Sequence, residues 1–394
     1  MKILLVTQQC IDIRNSECYC NRALLGTLEN MSILGDIYIV AGKELPDKPV
    51  AQPLNTKIDF ISPEHIKHLL PTNRRILDYL NNHKYNLQLL DKLIPEMDLV
   101  IGYAPSGYTD AALKIASKYN VPFLTFLVGC IWDALHNHQR ILARILAPFS
   151  MLSTRRTVKN SDYVHYVTRD FLQSRYPTKG KSLGCSDTNL GNIDPSALKN
   201  RLQTINTHSS NTIIKLITTA AIDVKYKGQE YVIKAISKLK EKGDLRYHYY
   251  LIGGGNDLYL RKLSQKLGVE NQIHFEGRKT AEEVITLLKE ADIYIQPSLQ
   301  EGLPRSVVEA MSVAMPCIGF KTGGIPELLE AEFVVKQKSV NGIIKCLKSL
   351  QNTNKYKETA EYNFKKACEY EHDKLVIKIR SFFKEIRQEI ETNK

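Results

Sequence analysis

The stretch from Asp292 to Leu329, DIYIQPSLQEGLPRSVVEAMSVAMPCIGFKTGGIPELL, decides how this chain is read. Asp292 to Ile295 is a short apolar run of strand type that ends near Pro297. A polar loop follows, a helix opens near Pro304 and runs to Met315, and a second strand covers Pro316 to Gly319. Proline at a first helical position is preorganised and gives up only an N–H that has no partner there anyway. The N–H groups of Leu303, Arg305 and Ser306 then point out of the helix start, where the helix dipole favours an anion such as a phosphate.

The same alternation extends outward in both directions. Thr212 to Thr218, Tyr247 to Ile252 and Gln272 to Phe275 read as strands, separated by helices at Gln229 to Lys240, Leu258 to Leu267 and Ala281 to Lys289. In the first half, strands are expected at Lys2 to Thr7, Asp36 to Val40, Ile58 to Ile61, Asp98 to Ile101, Pro122 to Val128 and Tyr163 to Val167. Helical patterns at Asn21 to Leu34, Thr109 to Lys118 and Leu135 to Lys159 lie between them. Continuous apolar strands alternating with helices imply parallel sheets covered on both faces. From Thr178 to Ser210 the periodicity breaks into a polar, Gly- and Ser-bearing linker, and Tyr356 to Glu391 is helical without a strand of its own. With 394 residues the chain exceeds one core. The expectation is an α/β protein of two doubly wound domains, residues 1–183 and 184–372, with a C-terminal helix at 373–394 packing back on the first. Ligands of such sheets bind at the carboxyl ends of the strands.

Composition narrows the function classes. The chain is 43% hydrophobic and 24% charged, which excludes disordered, collagen-like and coiled-coil chains. A net charge of +12 favours anionic partners: nucleic acid, phosphorylated small molecules or an acidic membrane surface. The opening MKILLVTQQC lacks a small-residue cleavage site, and the longest apolar stretch, Val121 to Trp132, is too short to span a bilayer. The eight cysteines are scattered, and Cys18 and Cys20 form C-x-C without a following His, which argues against zinc at Cys10, Cys18 and Cys20. His65, His68, His83, His136 and His138 show no ligand spacing. No metal site is expected, and the reading is that of a cytoplasmic protein.

Glu301 lies just before the Pro304 helix and Glu309 inside it. Eight helical positions correspond to about 12 Å of rise and roughly 80° of rotation. That exceeds the roughly 5–9.5 Å between paired carboxylates on one glycosidic bond. It suits opposite ends of a long ligand with an anionic middle, and carboxylates accept well from vicinal hydroxyls. Taken singly, Glu309 also fits a solvated helix residue and Glu301 an N-terminal dipole partner.

Together, Glu301-x7-Glu309, Ala310-Met311 and Gly323-Gly324-Ile325-Pro326-Glu327 resemble the retaining glycosyltransferases of family 4, which have the GT-B fold. Gly253-Gly254-Gly255, Phe275-Glu276-Gly277 and Tyr226-Lys227-Gly228 resemble further motifs of that family, so the likeness covers the whole second half. It implies two Rossmann-like domains facing across a cleft, acceptor-binding first and nucleotide-sugar-binding second. It also implies residue roles. Glu301 would hold donor-sugar hydroxyls near the reacting carbon, Glu309 would bind the ribose, and Lys227 would neutralise the departing diphosphate. Leu303 and Arg305 would assist at the helix start, the backbone at Arg278 would face the base, and Gly254 would form the glycine-rich turn. Many members carry an Arg where this chain reads TTAAID, so Lys225 or Arg305 is the substitute cation. The donor would be a nucleotide-diphosphate sugar, with UDP-sugar expected, and no cofactor or divalent metal would be required.

The first half is expected to bind the acceptor, a saccharide or lipid-linked saccharide of bacterial surface polysaccharide. The loop QQCIDIRNSECYC lacks the paired glycines common in the family. Asp133 is the candidate catalytic or sugar-contacting residue, with His136 behind it, although Asp133 also fits the N-cap of the following helix. Trp132 fits the core or a stacking role. Arg140, Arg144, Arg155, Arg156 and Lys159 beside Ile141, Leu142, Ile145, Leu146 and Phe149 fit either a solvated basic edge or a helix on an anionic membrane, peripheral on its inner face. Three other classes stay open. A sugar-nucleotide epimerase or hydrolase keeps the fold. A basic binding protein lacks any nucleic-acid-reading module, so no nucleic-acid partner is expected. An NAD-dependent dehydrogenase lacks G-x-G-x-x-G after either first strand.

Overall fold

The computed structural model describes residues 1–42, 54–69, 76–138, 140–188, 190–207 and 212–393, with backbone alone at 76–81. The chain forms two compact units. The first comprises Met1–Ile131, Leu146–Asp187 and Asp373–Lys394, and the second Trp132–Ile145 and Thr188–His372.

Among its described residues the first unit carries ten strands: β1 (Lys2–Cys10), β2 (Asp12–Arg14), β3 (Glu17–Cys20), β4 (Asp36–Gly42), β5 (Thr56–Ile58), β6 (Ile66–His68), β7 (Leu99–Ala104), β8 (Phe123–Leu127), β9 (Tyr163–Tyr166) and β10 (Lys181–Gly184). Seven form one parallel sheet in the order β10-β9-β8-β7-β1-β4-β6. Ile3, Leu4 and Leu5 of β1 are wholly buried, as a strand covered on both faces requires. The His372–Thr392 helix buries Leu375, Ile379, Phe382, Phe383, Ile386 and Ile390, one stripe at helical spacing. The Phe383 ring meets Phe126 of β8 edge-on at 6.3 Å.

The second unit holds β11 (Ile214–Thr219), β12 (Tyr247–Ile252), β13 (Ile273–Gly277), β14 (Ile293–Gln296), β15 (Cys317–Phe320) and β16 (Val334–Val335). They form one parallel sheet in the order β13-β12-β11-β14-β15-β16. Leu216, Tyr249, Ile293 and Phe320 from the strands pack with Val232, Ile236, Ile343 and Leu347 from the covering helices. The chain builds β11 to β13 outward, then returns to place β14 on the other side of β11. The order reverses there, so a crevice opens at the carboxyl ends of β11 and β14. In the first unit the reversal lies between β1 and β7.

Several expectations need correction. QQCIDIRNSECYC is not a loop: β1 runs on to Cys10, and β2 and β3 form a hairpin. Asn15 and Ser16 turn it with φ of 50° and 61°, the sign that a two-residue hairpin turn requires. Residues near Ile58 pair antiparallel with β3 as β5, and β6 takes the edge of the parallel sheet instead. The expected linker Thr178 to Ser210 contains β10 and the Ser196–Thr207 helix. β10 is a half-exposed edge strand with no apolar signal, and the helix buries only Ala197, Arg201 and Ile205. Residues 189 and 208–210 of that stretch lie outside the described residues. Leu135 to Lys159 is two helices, Ile131–His136 and Ile141–Asn160, parted by a break in which residue 139 lies outside the described residues. Pro304 is an N-cap residue with extended backbone, φ −74° and ψ 109°, and the helix it opens is Arg305–Ser312.

Candidate functional site

The crevice of the second unit is built by the loops that leave β11 and β14. After β11 the chain makes a short 3₁₀ turn at Lys225–Lys227 and enters the Gln229–Lys240 helix through Gly228. Gly228 has a φ of 71°, and a Cβ there would stand 2.0 Å from the carbonyl oxygen of Pro297. Only glycine permits that approach. The Leu299 N–H donates to the Tyr226 carbonyl at 2.7 Å, lacing the two loops together. Their meeting places Lys227 Nζ 2.7 Å from Glu301 Oε1, with side chains only 19% and 11% exposed.

Glu301 is fixed from behind as well. Gln296 Nε2 donates to Glu301 Oε1 at 2.8 Å and to Ser298 Oγ at 2.9 Å. Gln296 Oε1 accepts from the Tyr294 hydroxyl at 2.8 Å and from Ser306 Oγ at 3.4 Å. The Tyr294 hydroxyl lies 3.1 Å from Thr219 Oγ1 at the end of β11. A continuous polar chain, Thr219–Tyr294–Gln296–Glu301–Lys227, thus crosses the switch point, and its buried members are all hydrogen-bonded. A third support is the Gly323–Gly324 turn. Gly323 has a φ of 55°, a Cβ there would approach the Glu301 carbonyl oxygen to 2.4 Å, and the Gly324 N–H donates to Gly302 at 2.6 Å.

The Arg305–Ser312 helix starts beside this acid. Val307 N–H bonds the Pro304 carbonyl at 3.1 Å, so the amides before Val307 stand outside the helical ladder. Leu303 is buried and can contribute only backbone, whereas the Arg305 side chain is exposed. Glu309 lies farther along the helix, where burial raises its carboxyl pKa and the nearby Arg305 partly opposes that rise.

The glycine-rich turn after β12 borders the same end of the sheet. A Cβ on Gly253 would meet the Ala220 carbonyl at 1.9 Å, and a Cβ on Gly254 would stand 3.3 Å from Nε of the Arg278 guanidinium. Lys225 is exposed and its ammonium sits 5.0 Å over the Tyr259 ring, while the Tyr259 hydroxyl bonds Glu230. Lys227 rather than Lys225 is therefore the cation engaged with Glu301.

The segment that carries Asp133 belongs to the second unit. Asn137 Nδ2 donates to the Asp133 carbonyl at 3.0 Å and to the Leu299 carbonyl at 2.8 Å. This ties the short helix that bears Asp133 to the loop that bears Glu301. Asp133 is inside the Ile131–His136 helix, so it is no N-cap of the long helix that follows. Trp132 is half-buried and stacks on His136 at 5.5 Å rather than filling a core. In the first unit the switch point carries Gln8, whose Nε2 donates to Ser106 Oγ at 3.3 Å where the family's paired glycines are missing. Gln296, Ser298, Tyr294, Asn137 and Gln8 carried no signal in the sequence, because an isolated polar residue in or after a strand has no periodicity to mark it. Among the described residues, no group of three or more His, Cys, Asp or Glu side chains is placed to hold a metal ion. All eight cysteines are free thiols.

Comparison with known proteins follows this geometry. Residues 205–367, which contain the entire β11–β14 crevice, match the family described as glycosyl transferases group 1. Protein CapJ of Staphylococcus aureus is 31% identical over 281 residues, covering 70% of this chain and 68% of that protein. The chain belongs to the group 1 glycosyltransferases. A second relative of this glycosyltransferase, the putative colanic acid biosynthesis glycosyltransferase WcaL of Escherichia coli, is 34% identical over 128 residues, 31% of each chain. Among solved structures, Anabaena Alr3699/HepE in complex with UDP covers 99% of this glycosyltransferase and 100% of its own chain. Its TM-score is 0.64 at 16% identity, a likeness of fold, and the fold is GT-B.

Proposed function

We propose that the chain is a retaining family 4 glycosyltransferase that moves a sugar from a nucleotide-diphosphate donor, a UDP-sugar, to a saccharide or lipid-linked saccharide. The reading places it in bacterial surface polysaccharide biosynthesis. The observation that carries it is the Lys227–Glu301 pair at the β11/β14 switch point, set beside a helix start with Glu309 farther along. The name of the relative WcaL, a putative colanic acid biosynthesis glycosyltransferase, supports the polysaccharide setting, and the UDP bound by HepE supports the base.

The chemistry follows from the charges that develop. Breaking the bond between the anomeric carbon and the phosphate oxygen leaves negative charge on the diphosphate and positive charge on the ring. The Lys227 ammonium, the Arg305 guanidinium and the amides around Leu303 stabilise the first. In the resting protein Lys227 is occupied by Glu301. When donor enters, its phosphate takes the ammonium and a sugar hydroxyl donates to the carboxylate that the ammonium leaves. Gln296 keeps that carboxylate in place throughout. Glu309 accepts from the ribose hydroxyls, and the backbone at Gly254 and Arg278 borders the base. Asp133, held to the Glu301 loop through Asn137, contacts the reacting sugar. The donor is a substrate, and the reading invokes neither a resident cofactor nor a metal.

A thermal-shift panel of UDP-, GDP-, ADP- and CMP-sugars tests it, because a ligand that binds the native state raises its melting temperature. A rise of about a few degrees with UDP-sugars is expected. No shift with any donor would overturn the site. Rapid hydrolysis or epimerisation without acceptor would move the enzyme to the epimerase or hydrolase class.

A further inference from the structure

Both protein donors that reach the Glu301 side chain arrive on the same oxygen. Lys227 Nζ stands 2.7 Å and Gln296 Nε2 2.8 Å from Oε1, and among the described residues no hydrogen bond reaches Oε2. The carboxylate therefore has one oxygen held by the protein and one open to accept a hydroxyl. This arrangement depends on which way the Gln296 amide is turned. Reversed, it would set its own oxygen against Glu301 Oε1, acceptor facing acceptor. In the observed orientation Gln296 Oε1 lies on the far side and needs donors of its own. Two are present, the Tyr294 hydroxyl at 2.8 Å and Ser306 Oγ at 3.4 Å.

The Tyr294 oxygen faces the Thr219 backbone N–H at 3.4 Å, a group that can only donate, and Thr219 Oγ1 at 3.1 Å can donate as well. The tyrosine proton is thereby left for Gln296, and donation runs one way from the end of β11 to the acid. Tyr294 is 0% and Gln296 1% exposed, so bulk water does not stand in for a missing partner. Ser306 is the second residue of the Arg305–Ser312 helix, in the turn where the donor's diphosphate competes for its hydroxyl. With donor bound, Tyr294 is the firm donor that Gln296 retains. We propose that Tyr294 is a positioning residue of the transfer reaction. Its hydroxyl locks the Gln296 amide, so that Glu301 stays held through Oε1, with Oε2 toward the sugar, after Lys227 passes to the phosphate. The role rests on the donor reading above and adds the group that keeps the acid aimed while its partners change.

Tyr294→Phe, Gln296→Leu and the double variant of the full chain test it. The probes are UDP, by calorimetry, and UDP-glucose and UDP-galactose, by the slow release of UDP without acceptor. Tyr294→Phe is expected to lower kcat for this release about tenfold, with KM and UDP affinity within about twofold of wild type. Because the tyrosine acts through the amide, the double variant should match Gln296→Leu alone rather than multiply the two losses. Gln296→Glu keeps the shape and brings a second carboxylate against Glu301, beside Lys227. Two acids so close share a proton, so the acid limb of its kcat profile should move up by about one pH unit or more. Wild-type kcat in Tyr294→Phe, equal losses of kcat and UDP affinity, or multiplied losses in the double variant overturn the role. If Tyr294→Phe does not fold, an unmoved acid limb in Gln296→Glu overturns it. Side-chain amide NMR needs no donor: the Gln296 Nε2 protons should exchange with solvent about tenfold faster in Tyr294→Phe, and equal exchange overturns the lock. Wild-type protein that neither binds UDP nor releases it from either sugar fails the donor reading and takes the positioning role with it. Variants that match a working wild type fail the positioning role alone.

Discussion

Glu301 occupies a position that three separate chain segments converge to build: the β11 exit through Lys227, the β14 end through Gln296, and the Gly323–Gly324 turn beneath its own backbone. A carboxylate so held is preorganised to accept a hydroxyl without reorganising. Replacing Glu301 with Gln keeps the shape and removes the charge. Steady-state kinetics should show kcat falling by about 10²–10³, with nucleotide affinity changed by less than about threefold. Glu309 makes a pH prediction. Burial raises its pKa, so the native state favours the protonated form. Its contribution to stability is complete below the ordinary carboxylate pKa and is lost as pH rises through the raised native value. Glu309→Gln should therefore melt above wild type at pH 7, the gap closing on acidification. On the role proposed for Glu309, donor binding uses the carboxylate, so in titrations at stepped pH it should weaken on acidification from above the ordinary carboxylate range. The weaker binding by the Gln variant should stay flat. Gly228 is fixed by geometry: with a positive φ and the Pro297 carbonyl at 2.0 Å from any Cβ, Gly228→Ala should cost about 2 kcal/mol or more in denaturant unfolding.

Elements were legible where a pattern ran through them. The β12 strand and the Gln229–Lys240 helix stand where their periodicity put them, because buried strands and amphipathic helices announce themselves by spacing. Elements whose partners are backbone groups were not legible. The Ser196–Thr207 helix lies in a stretch that reads as linker, yet its Arg201 is 4% exposed. Arg201 donates from Nη2 to the Leu288 carbonyl at 2.9 Å and from Nη1 to the Ala291 carbonyl. The guanidinium closes the C-terminal end of the Ala281–Glu290 helix, a favourable place for a cation. An arginine that satisfies carbonyls looks the same in sequence as a solvated one. Arg201→Ala should destabilise the chain by about 2–4 kcal/mol, read from the denaturation midpoint, because it strands buried carbonyls. Likewise the Glu301–Glu309 spacing marked the loop and the helix, whereas the Gln296 bridge between them became visible only when Tyr294 and Ser306 were placed beside it.

At the scale of the molecule, both units repeat one rule: a parallel sheet reverses its order, and polar side chains gather at that reversal. In the second unit the gathering is an acid, an ammonium and a helix start, a constellation suited to a nucleoside diphosphate joined to a sugar. Calorimetric titration of UDP into wild type, Lys227→Ala and Glu309→Ala measures this most directly. The account predicts a single site in the wild type and an affinity loss of about tenfold or more in each variant, as expected for losing a charge-assisted contact. Equal affinity in all three proteins would contradict it.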